Sequence, residues 1–268
     1  EAPEDAAYRW LLDQQGESGL LGNQEGDALA GVYANALAAI CFVHRGDVAR
    51  AERIFDVFAA QADEAFAAPG GFHQLWDARS ATPHRDSDRW VGDNAWLLIA
   101  LNRYRVATGD DRYASLARKI ADWIVSLQDA DGGVWSGFSK NGPIRAKSTE
   151  GNLDCYAALV DRPEARARVR QWLESFAWIP EKQHFRMGST VNEPALDGVS
   201  WGIAALGTNY VSALTTAERL FRCTHLAEGT RCAVTGFSDR LVRDRIWFEG
   251  TGQMAVAYRV AGRDAEAD

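Results

Sequence analysis

Acidic residues recur along this 268-residue chain, several of them beside a glycine and each just before an apolar stretch. The carboxylates at these places are Glu25 and Asp27, Asp93, Glu150 and Asp154, Asp197, and Glu249. Carboxyl groups that share a cavity divide proton transfer between them, because burial and like charge raise one pKa above another. One carboxyl group then donates a proton while a second activates water or attacks carbon.

Aromatic and amide side chains flank these acids, and tryptophan is frequent, with 10 in the chain. The candidate binding residues are Tyr33, Trp90, Asn94, Trp96, Asn152, Tyr156, Trp201, Trp247 and Phe248, together with Asp27 and the loop residues Trp76 and Trp135. An aromatic face stacks on the C–H groups of a sugar ring, while carboxylates and amides bind hydroxyls. The pattern therefore indicates hydrolysis of a glycosidic bond.

The acids are assigned roles on this hypothesis. We expect Glu150 to be the general acid, with Glu249 as the next candidate, and Asp93 to be the base. Asp154 and Asp197 bind sugar hydroxyls or supply a second base. For any one acid a simpler explanation exists, because a carboxylate at a helix start binds free N–H groups and stabilises the helix by ~0.5–2 kcal/mol.

The elements that must position these residues are helical hairpins that repeat about every 50 residues. The repeats begin near residues 23, 90, 148, 195 and 247, after a first helix over 6–15. Turns are predicted at Gly46, Gly109, 161–163 and Gly262, where glycine suits a left-handed C-terminal position. The second helix of the third repeat is expected to reach Trp178, and that of the fourth to span 210–222.

The two helices of a repeat differ in pattern. Residues 95–101 are apolar nearly all round, whereas residues 113–127 have one apolar stripe opposite charged residues. Buried inner helices inside amphipathic outer helices predict an all-α fold, an (α/α) toroid with all inner helices starting at one mouth. It is (α/α)6-like but has fewer helices than a closed ring of six hairpins needs. A solenoid is the rival, although its repeats are more uniform than the long linkers 65–89 and 129–147 allow.

The amino-acid composition and charge limit the classes of protein to which this chain could belong. With 47% hydrophobic and 25% charged residues and no evident linker, the chain is predicted to be a single catalytic domain over 1–268. A net charge of -8 disfavours nucleic acid and anionic membranes as partners. No run approaches the ~18 apolar residues of a membrane span. No cofactor or metal is expected, although Ca²⁺ at clustered carboxylates stays an alternative, and the sequence does not fix the oligomeric state.

The cysteines provide evidence about the cellular compartment of the protein. Cys41 and Cys155 lie on apolar helical faces and are expected to be buried. Cys223 and Cys232 bracket the polar loop 224–231 and could form a disulfide, bind metal poorly with His225, or stay free thiols. This possible disulfide and an N-terminus typical of a mature or trimmed chain favour a periplasmic or secreted location.

Short motifs add a family resemblance. The stretch 148–152, Ser-Thr-Glu-Gly-Asn, resembles the Ser-Glu-Gly stretch around the general acid of glycoside hydrolase family 8, where it lies near the start of the domain. The stretches 92–96, Gly-Asp-Asn-Ala-Trp, and 247–251, Trp-Phe-Glu-Gly-Thr, resemble inner-helix openings of bacterial toroid proteins. The chain thus resembles the six-hairpin glycosidase superfamily. The resemblance implies hydrolysis of a poly- or oligosaccharide, by an inverting mechanism with carboxyl groups ~6.5–9.5 Å apart.

Two other functions fit parts of the pattern. A non-catalytic glycan-binding or scaffold protein would need the aromatic residues but not paired acids. A sugar epimerase or polysaccharide lyase on the same fold would need a His, Tyr or Lys base. Of the five histidines, only His73, His84 and His184 lie in loops on the side where inner helices begin.

Overall fold

The computed structural model describes residues 2–268, and most of their regular structure is α-helical, which confirms the predicted helical class. The helices are α1 Pro3–Gln14, α2 Val32–Arg45, α3 Val48–Ala65, α4 Val91–Thr108, α5 Ala114–Ser126, α6 Thr149–Ala158, α7 Pro163–Trp172, α8 Leu196–Leu206, α9 Ala213–Phe221, α10 Phe248–Val260 and α11 Asp264–Ala267. Closure of the helices into a toroid stays a prediction. Over residues 2–268, no helix has both the length and the apolar composition that crossing a bilayer requires.

Short antiparallel strands, which the sequence patterns did not predict, connect the helices. They are β1 Leu29–Gly31, β2 Leu75–Asp77, β3 Thr82–Pro83, β4 Arg89–Trp90, β5 Gly137–Ser139, β6 Gly142–Ile144, β7 Trp178–Ile179, β8 His184–Phe185, β9 Arg222–Leu226 and β10 Ala233–Phe237. They pair in the orders β1-β2-β3, β4-β5-β6, β7-β8 and β9-β10.

The chain divides into two compact units. The first unit comprises the residues up to Asp129, Val134–Arg145 and Ala157–Arg166. The second unit comprises Ala130–Gly133, Ala146–Tyr156 and Ala167–Asp268. Helices α1 to α5 lie in the first unit, and α8 to α11 lie in the second. The single domain predicted over 1–268 stays a prediction.

In the first unit, α2 packs against α3 and α4, and α5 packs against α3 and α4. The predicted glycine turns are confirmed, because Gly46 and Gly109 end α2 and α4 with φ of 82° and 69°. Asp47 does not cap α3 with its side chain, which accepts a hydrogen bond from the Tyr8 hydroxyl instead. The contrast between the helices is also confirmed, since α4 is buried on several sides while α5 buries one stripe that includes Ile120.

In the second unit, the helix expected to reach Trp178 extends to Ala177, and its last turn changes from α to π. Helix α7 stops at Trp172, a π-helical turn follows over Leu173–Ala177, and Trp178 begins β7 with φ -72° and ψ 133°. The indole ring of Trp178 packs 4.9 Å from the Phe185 ring across the β7-β8 pair, measured between centroids. This packing and the strand pairing favour extended backbone at Trp178, so the helix ends one residue before its predicted end.

The polar segment between Cys223 and Cys232 is a β-hairpin rather than a loop, and the two cysteines are free thiols. In its register Cys223 lies opposite Gly236, whereas Cys232 lies just before Ala233, the partner of Leu226. The two thiols are therefore separated along the hairpin by several residues, at about 3.4 Å each. The free thiols are thus the alternative that the structure supports, and the predicted export stays a prediction. Of the other two cysteines, Cys155 is buried as expected, whereas the expectation for Cys41 is wrong because it is exposed.

Candidate active site

Four of the predicted acids lie in the first turn of a helix. The acid is the second residue of α6 (Glu150), α8 (Asp197) and α10 (Glu249), and a glycine follows each of them. Asp93 is the third residue of α4. The expectation for the first repeat is wrong, because α2 has no acid in its first turn and Asp27 instead accepts a hydrogen bond from the backbone N–H of Leu29, 3.0 Å away, ahead of β1.

These acids do not act as ordinary helix caps. The N-cap residues of α4, α8 and α10 are Trp90, Ala195 and Trp247, and none makes a capping side-chain hydrogen bond. A carboxylate inside the first turn is stabilised by the helix dipole and by free N–H groups, which lower its pKa. Burial raises the pKa of both Asp93 and Asp197 instead. Desolvation therefore outweighs the helix end at both positions.

Glu150, Asp197 and Glu249 lie close enough in the second unit to influence one another, and we refer to them as the acidic cluster. The loss of solvent around the Asp197 carboxyl group is the main cause of its raised pKa, and the negative charge of Glu249 raises that pKa further. A side-chain hydrogen bond with Glu150 and the N–H of Gly198, 2.6 Å from Asp197 Oδ1, act in the opposite direction. A hydrogen bond between two carboxyl groups requires a proton on one of them, and a bond that lowers the pKa of Asp197 favours that proton on its partner, Glu150.

A chain of buried polar side chains holds Glu249. The Ser200 hydroxyl on α8 donates to Gln253 Oε1 on α10 at 2.9 Å, and Gln253 Nε2 donates to Glu249 Oε1 at 3.4 Å. Ser200 and Gln253 are only 0% and 5% exposed. Because the hydroxyl occupies the amide oxygen, the amide NH₂ faces the carboxylate. Sequence analysis missed both residues, although Gln253 follows Glu249 by one helical turn.

The other predicted residues of α6 follow Glu150 along the helix. Asp154, one turn further along, is buried. Burial raises the pKa of the neighbouring Cys155 thiol, and the negative charge of Asp154 raises it further. Asn152 is fully buried, and its amide Nδ2 donates to the Ser148 carbonyl at 2.8 Å. Tyr156 is buried as well. The side chains of these three residues therefore offer little surface for direct contact with a ligand.

The aromatic residues of the second unit differ in exposure. Trp201 and Trp247 are half-buried, whereas Phe248 is 74% exposed. The Trp247 ring lies against Gly250, where an added Cβ would be 2.2 Å from the indole. Gly250 thus allows the ring to cover the start of α10 beside Glu249.

In the first unit, Asp93 lies beside two aromatic rings. Its carboxylate Oδ1 accepts a hydrogen bond from the backbone N–H of Tyr33 at 3.3 Å, and burial raises the pKa of Asp93 to about 7. The rings of Tyr33 and Trp96 meet edge to face with centroids 5.4 Å apart. Both rings are half-buried, which leaves part of each surface open to a ligand.

The remaining candidates of the first unit have mainly structural contacts. Asn94 is fully buried, and its amide binds the backbone N–H and C=O of Phe72. Trp76 is 1% exposed, so its ring faces are not available to a ligand. Trp90 and Trp135 are half-buried, and the guanidinium of Arg145 lies 5.0 Å from the Trp135 ring centroid. Within residues 2–268, no group of three or more His, Cys, Asp or Glu side chains is arranged to hold a metal ion.

No family model matches the sequence, and no curated protein matches it. Solved structures share its fold at low sequence identity. A glycosidase variant in complex with glucose has a TM-score of 0.72 and 14% identity, covering 98% of this chain and 79% of that chain. A family 8 endoglucanase from Klebsiella pneumoniae has 0.63 and 12%, with coverage of 97% and 90%. An alpha-amylase from Clostridium perfringens has 0.65 and 12%, with coverage of 97% and 83%. Such identities establish the fold alone.

Proposed function

We propose that this protein is a glycoside hydrolase that cleaves a poly- or oligosaccharide by carboxylate acid–base catalysis. The observation that carries the proposal is the acidic cluster, in which Asp197 is hydrogen-bonded to Glu150 and its pKa is raised by burial and by the like charge of Glu249. Glycosidic hydrolysis needs one carboxyl group that stays protonated and one that is ionised. A fold shared with solved glycosidases supports the proposal.

In this mechanism Glu150 is the general acid. Its side chain is exposed at the start of α6, so it can reach the oxygen of a bound glycosidic bond. In this proposal the half-buried Asp197 accepts a hydrogen bond from Glu150, and that bond keeps the proton on the general acid. On cleavage the proton passes to the leaving oxygen, and the pair regains one from solvent.

Asp197 is too close to Glu150 to be the base that activates water. Hydrogen-bonded carboxyl groups lie ~2.5–3.5 Å apart, whereas the two groups are ~5–5.5 Å apart in retaining enzymes and ~6.5–9.5 Å in inverting ones. Glu249, exposed and oriented by Gln253, is the base we assign within the second unit. Asp93, the base expected from sequence, is tested by a variant of its own.

The sugar rings would stack on the exposed aromatic surfaces. In the second unit Trp247 and Phe248 flank Glu249, and in the first unit Tyr33 and Trp96 flank Asp93. An aromatic face provides area for the C–H side of a pyranose without fixing its hydroxyl pattern. The identity of the sugar is therefore set by polar contacts.

The test compares Glu150→Gln with wild type on α-glucans, β-glucans, galactosaminoglycans and uronate polymers. We expect reducing-end release by wild type to fall by about 10²–10⁴-fold in the variant, with binding retained, because only the proton donor is lost. Glu164→Gln is the matched control, since Glu164 is also an exposed second residue of a helix, α7. Retained turnover in Glu150→Gln would contradict the assignment.

Three further measurements separate the remaining possibilities. An anomeric NMR time course that shows inversion supports a base acting through water. Loss of turnover in Glu249→Ala, restored by azide, identifies Glu249 as the base, and the same result in Asp93→Ala identifies Asp93. Binding by wild type without turnover on any substrate supports the glycan-binding alternative, and cleavage to an unsaturated product supports a lyase.

A further inference from the structure

A cleft of about 170 Å³ in the first unit is lined almost entirely by hydrogen-bond donors. Its polar residues are His73, Arg85, Ser87, Arg89, Ser139 and Lys140. Among residues 2–268 no carboxylate lines this cleft, although the protein as a whole has a net charge of -8. A smaller cleft shares three of these residues, His73, Arg85 and Arg89.

Arg89 is held in place by a neutral side chain. The His73 Nδ1–H donates to the Ser87 carbonyl at 2.7 Å, so His73 Nε2 is the acceptor for Arg89 Nε and Nη2 at 3.2 and 3.1 Å. Burial lowers the pKa of His73, which favours this neutral tautomer. Over residues 2–268 no carboxylate forms an ion pair with Arg89. The guanidinium is thus oriented without being neutralised.

The other cations add to the positive charge of the cleft. Burial lowers the pKa of Arg89, and the charge of nearby Arg85 lowers it further. The ion-pair partner of Arg85, Glu64, does not line this cleft. Lys140 is exposed at the turn between β5 and β6 and, in the described part of the chain, has no carboxylate within 4.0 Å. A bound anion would relieve the repulsion between the two guanidinium groups.

We propose that this cleft binds the carboxylate or sulfate group of an acidic sugar. The planar guanidinium of Arg89 matches either oxyanion with two parallel hydrogen bonds, and Lys140 adds charge at the rim. The side chain of Phe138 lines the same cleft and offers a surface for the ring. That the anion is carried by a sugar rests on the proposed function. It is supported within the same unit, since Arg89 directly precedes Trp90 and the start of α4, where Asp93 and Trp96 lie.

The test measures binding by isothermal titration calorimetry. The ligands are a disaccharide ending in glucuronate, its 6-O-sulfated glucose counterpart, the neutral glucose counterpart, and inorganic sulfate. The proteins are wild type, Arg89→Gln, and the control Arg103→Gln, an exposed arginine of α4 outside the cleft. We expect an acidic disaccharide to bind wild type about tenfold or more tightly than the neutral one. Arg89→Gln should remove that preference and Arg103→Gln should keep it.

The arms have distinct meanings. Preference for glucuronate or for the sulfated sugar identifies the oxyanion, and inorganic sulfate binding as tightly as either sugar would overturn the sugar as its carrier. Equal affinity for acidic and neutral disaccharides overturns the proposal. Because Arg89→Gln could disturb β4, Lys140→Gln provides a second variant on an exposed side chain, expected to weaken acidic-sugar binding about two- to fivefold.

The outcome is separable from that of the hydrolase proposal. If no glycan is hydrolysed but an acidic sugar still binds in a way that depends on Arg89, the hydrolase proposal fails and the acidic-sugar proposal is supported. If neutral glycans are hydrolysed and acidic ones are neither preferred in binding nor in kcat/KM, the cleft proposal fails alone.

Discussion

Replacing Asp93 by asparagine should stabilise the protein, and by more as the pH rises. The Asp93 side chain is buried at the start of α4, where its pKa is raised from 3.8 to about 7. The folded state therefore holds a proton that the unfolded chain releases between these two pH values. Stability contributed by protonated Asp93 is present at low pH and is lost as the pH rises through about 7.

The magnitude follows from the two pKa values. A shift from 3.8 to about 7 corresponds to about 4 kcal/mol of destabilisation once Asp93 is ionised in both states, at ~1.36 kcal/mol for each pKa unit. At pH 5 the unfolded chain has already released most of its proton, and the destabilisation is about 1.7 kcal/mol. The advantage of asparagine should therefore grow by about 2–3 kcal/mol between pH 5 and pH 8.

Urea unfolding at both pH values measures this difference. Asparagine keeps an Oδ1 that can accept the hydrogen bond from the Tyr33 N–H, so packing and polarity change little. Asp13→Asn, at an exposed position of α1, is the matched control and should show no comparable pH dependence. If Asp93→Asn changes the free energy of unfolding equally at pH 5 and pH 8, Asp93 does not have a raised pKa and the desolvation argument is wrong.

Three other predictions concern the second unit. Gly250→Ala should lower the free energy of unfolding by about 1–3 kcal/mol, because its Cβ would lie 2.2 Å from an indole atom. The control is Gly252→Ala in the same helix, where an added Cβ has nothing within 4 Å. In the same urea titration it should be neutral or stabilising by up to about 1 kcal/mol. Gln253→Leu should remove the shortest hydrogen bond of the Ser200 hydroxyl, which keeps the carbonyls of Leu196 and Asp197 as acceptors at 3.3 Å, so stability should fall by only ~0.5–1.5 kcal/mol. Released from Gln253, Glu249 should support a lower kcat at similar KM, and an unchanged kcat would refute its role as the oriented base. Thiol titration under denaturing, non-reducing conditions should find 4 free cysteines, and a value of 2 would restore the disulfide.

Local signals predicted the helices well where both ends are marked in the sequence. The apolar run from Val32 and the glycine at Gly46 bound α2, and the run after Trp90 with Gly109 bounds α4. These ends depend on a few adjacent residues, so periodicity and turn chemistry suffice. The hairpin of β9 and β10 is different, because its strands are fixed by pairing across the turn and its polar residues resemble a loop.

The candidate site shows the same division. The acids at the helix starts could be found from composition and spacing alone. The polar link through Ser200 and Gln253 could not, because it exists only once α8 packs against α10. The exposure of side chains could not be predicted from the sequence either. Trp76 and Phe248 are both aromatic residues near acids, yet Trp76 is 1% exposed and Phe248 is 74% exposed. Packing between distant segments decides which ring a ligand can contact.

The pKa values bear on the simpler explanation, that these acids merely stabilise helix ends. A first-turn carboxylate serving the helix dipole has a lowered pKa and stabilises the helix by ~0.5–2 kcal/mol. At Asp93 the backbone N–H groups do act in that direction, but burial exceeds them and leaves the pKa at about 7. An ionised Asp93 therefore weakens the fold near neutral pH, where asparagine would keep the same hydrogen bond without that loss. A destabilising carboxyl group beside two accessible rings fits a chemical role better than a structural one, because a carboxylate with a pKa near the working pH exchanges protons most effectively.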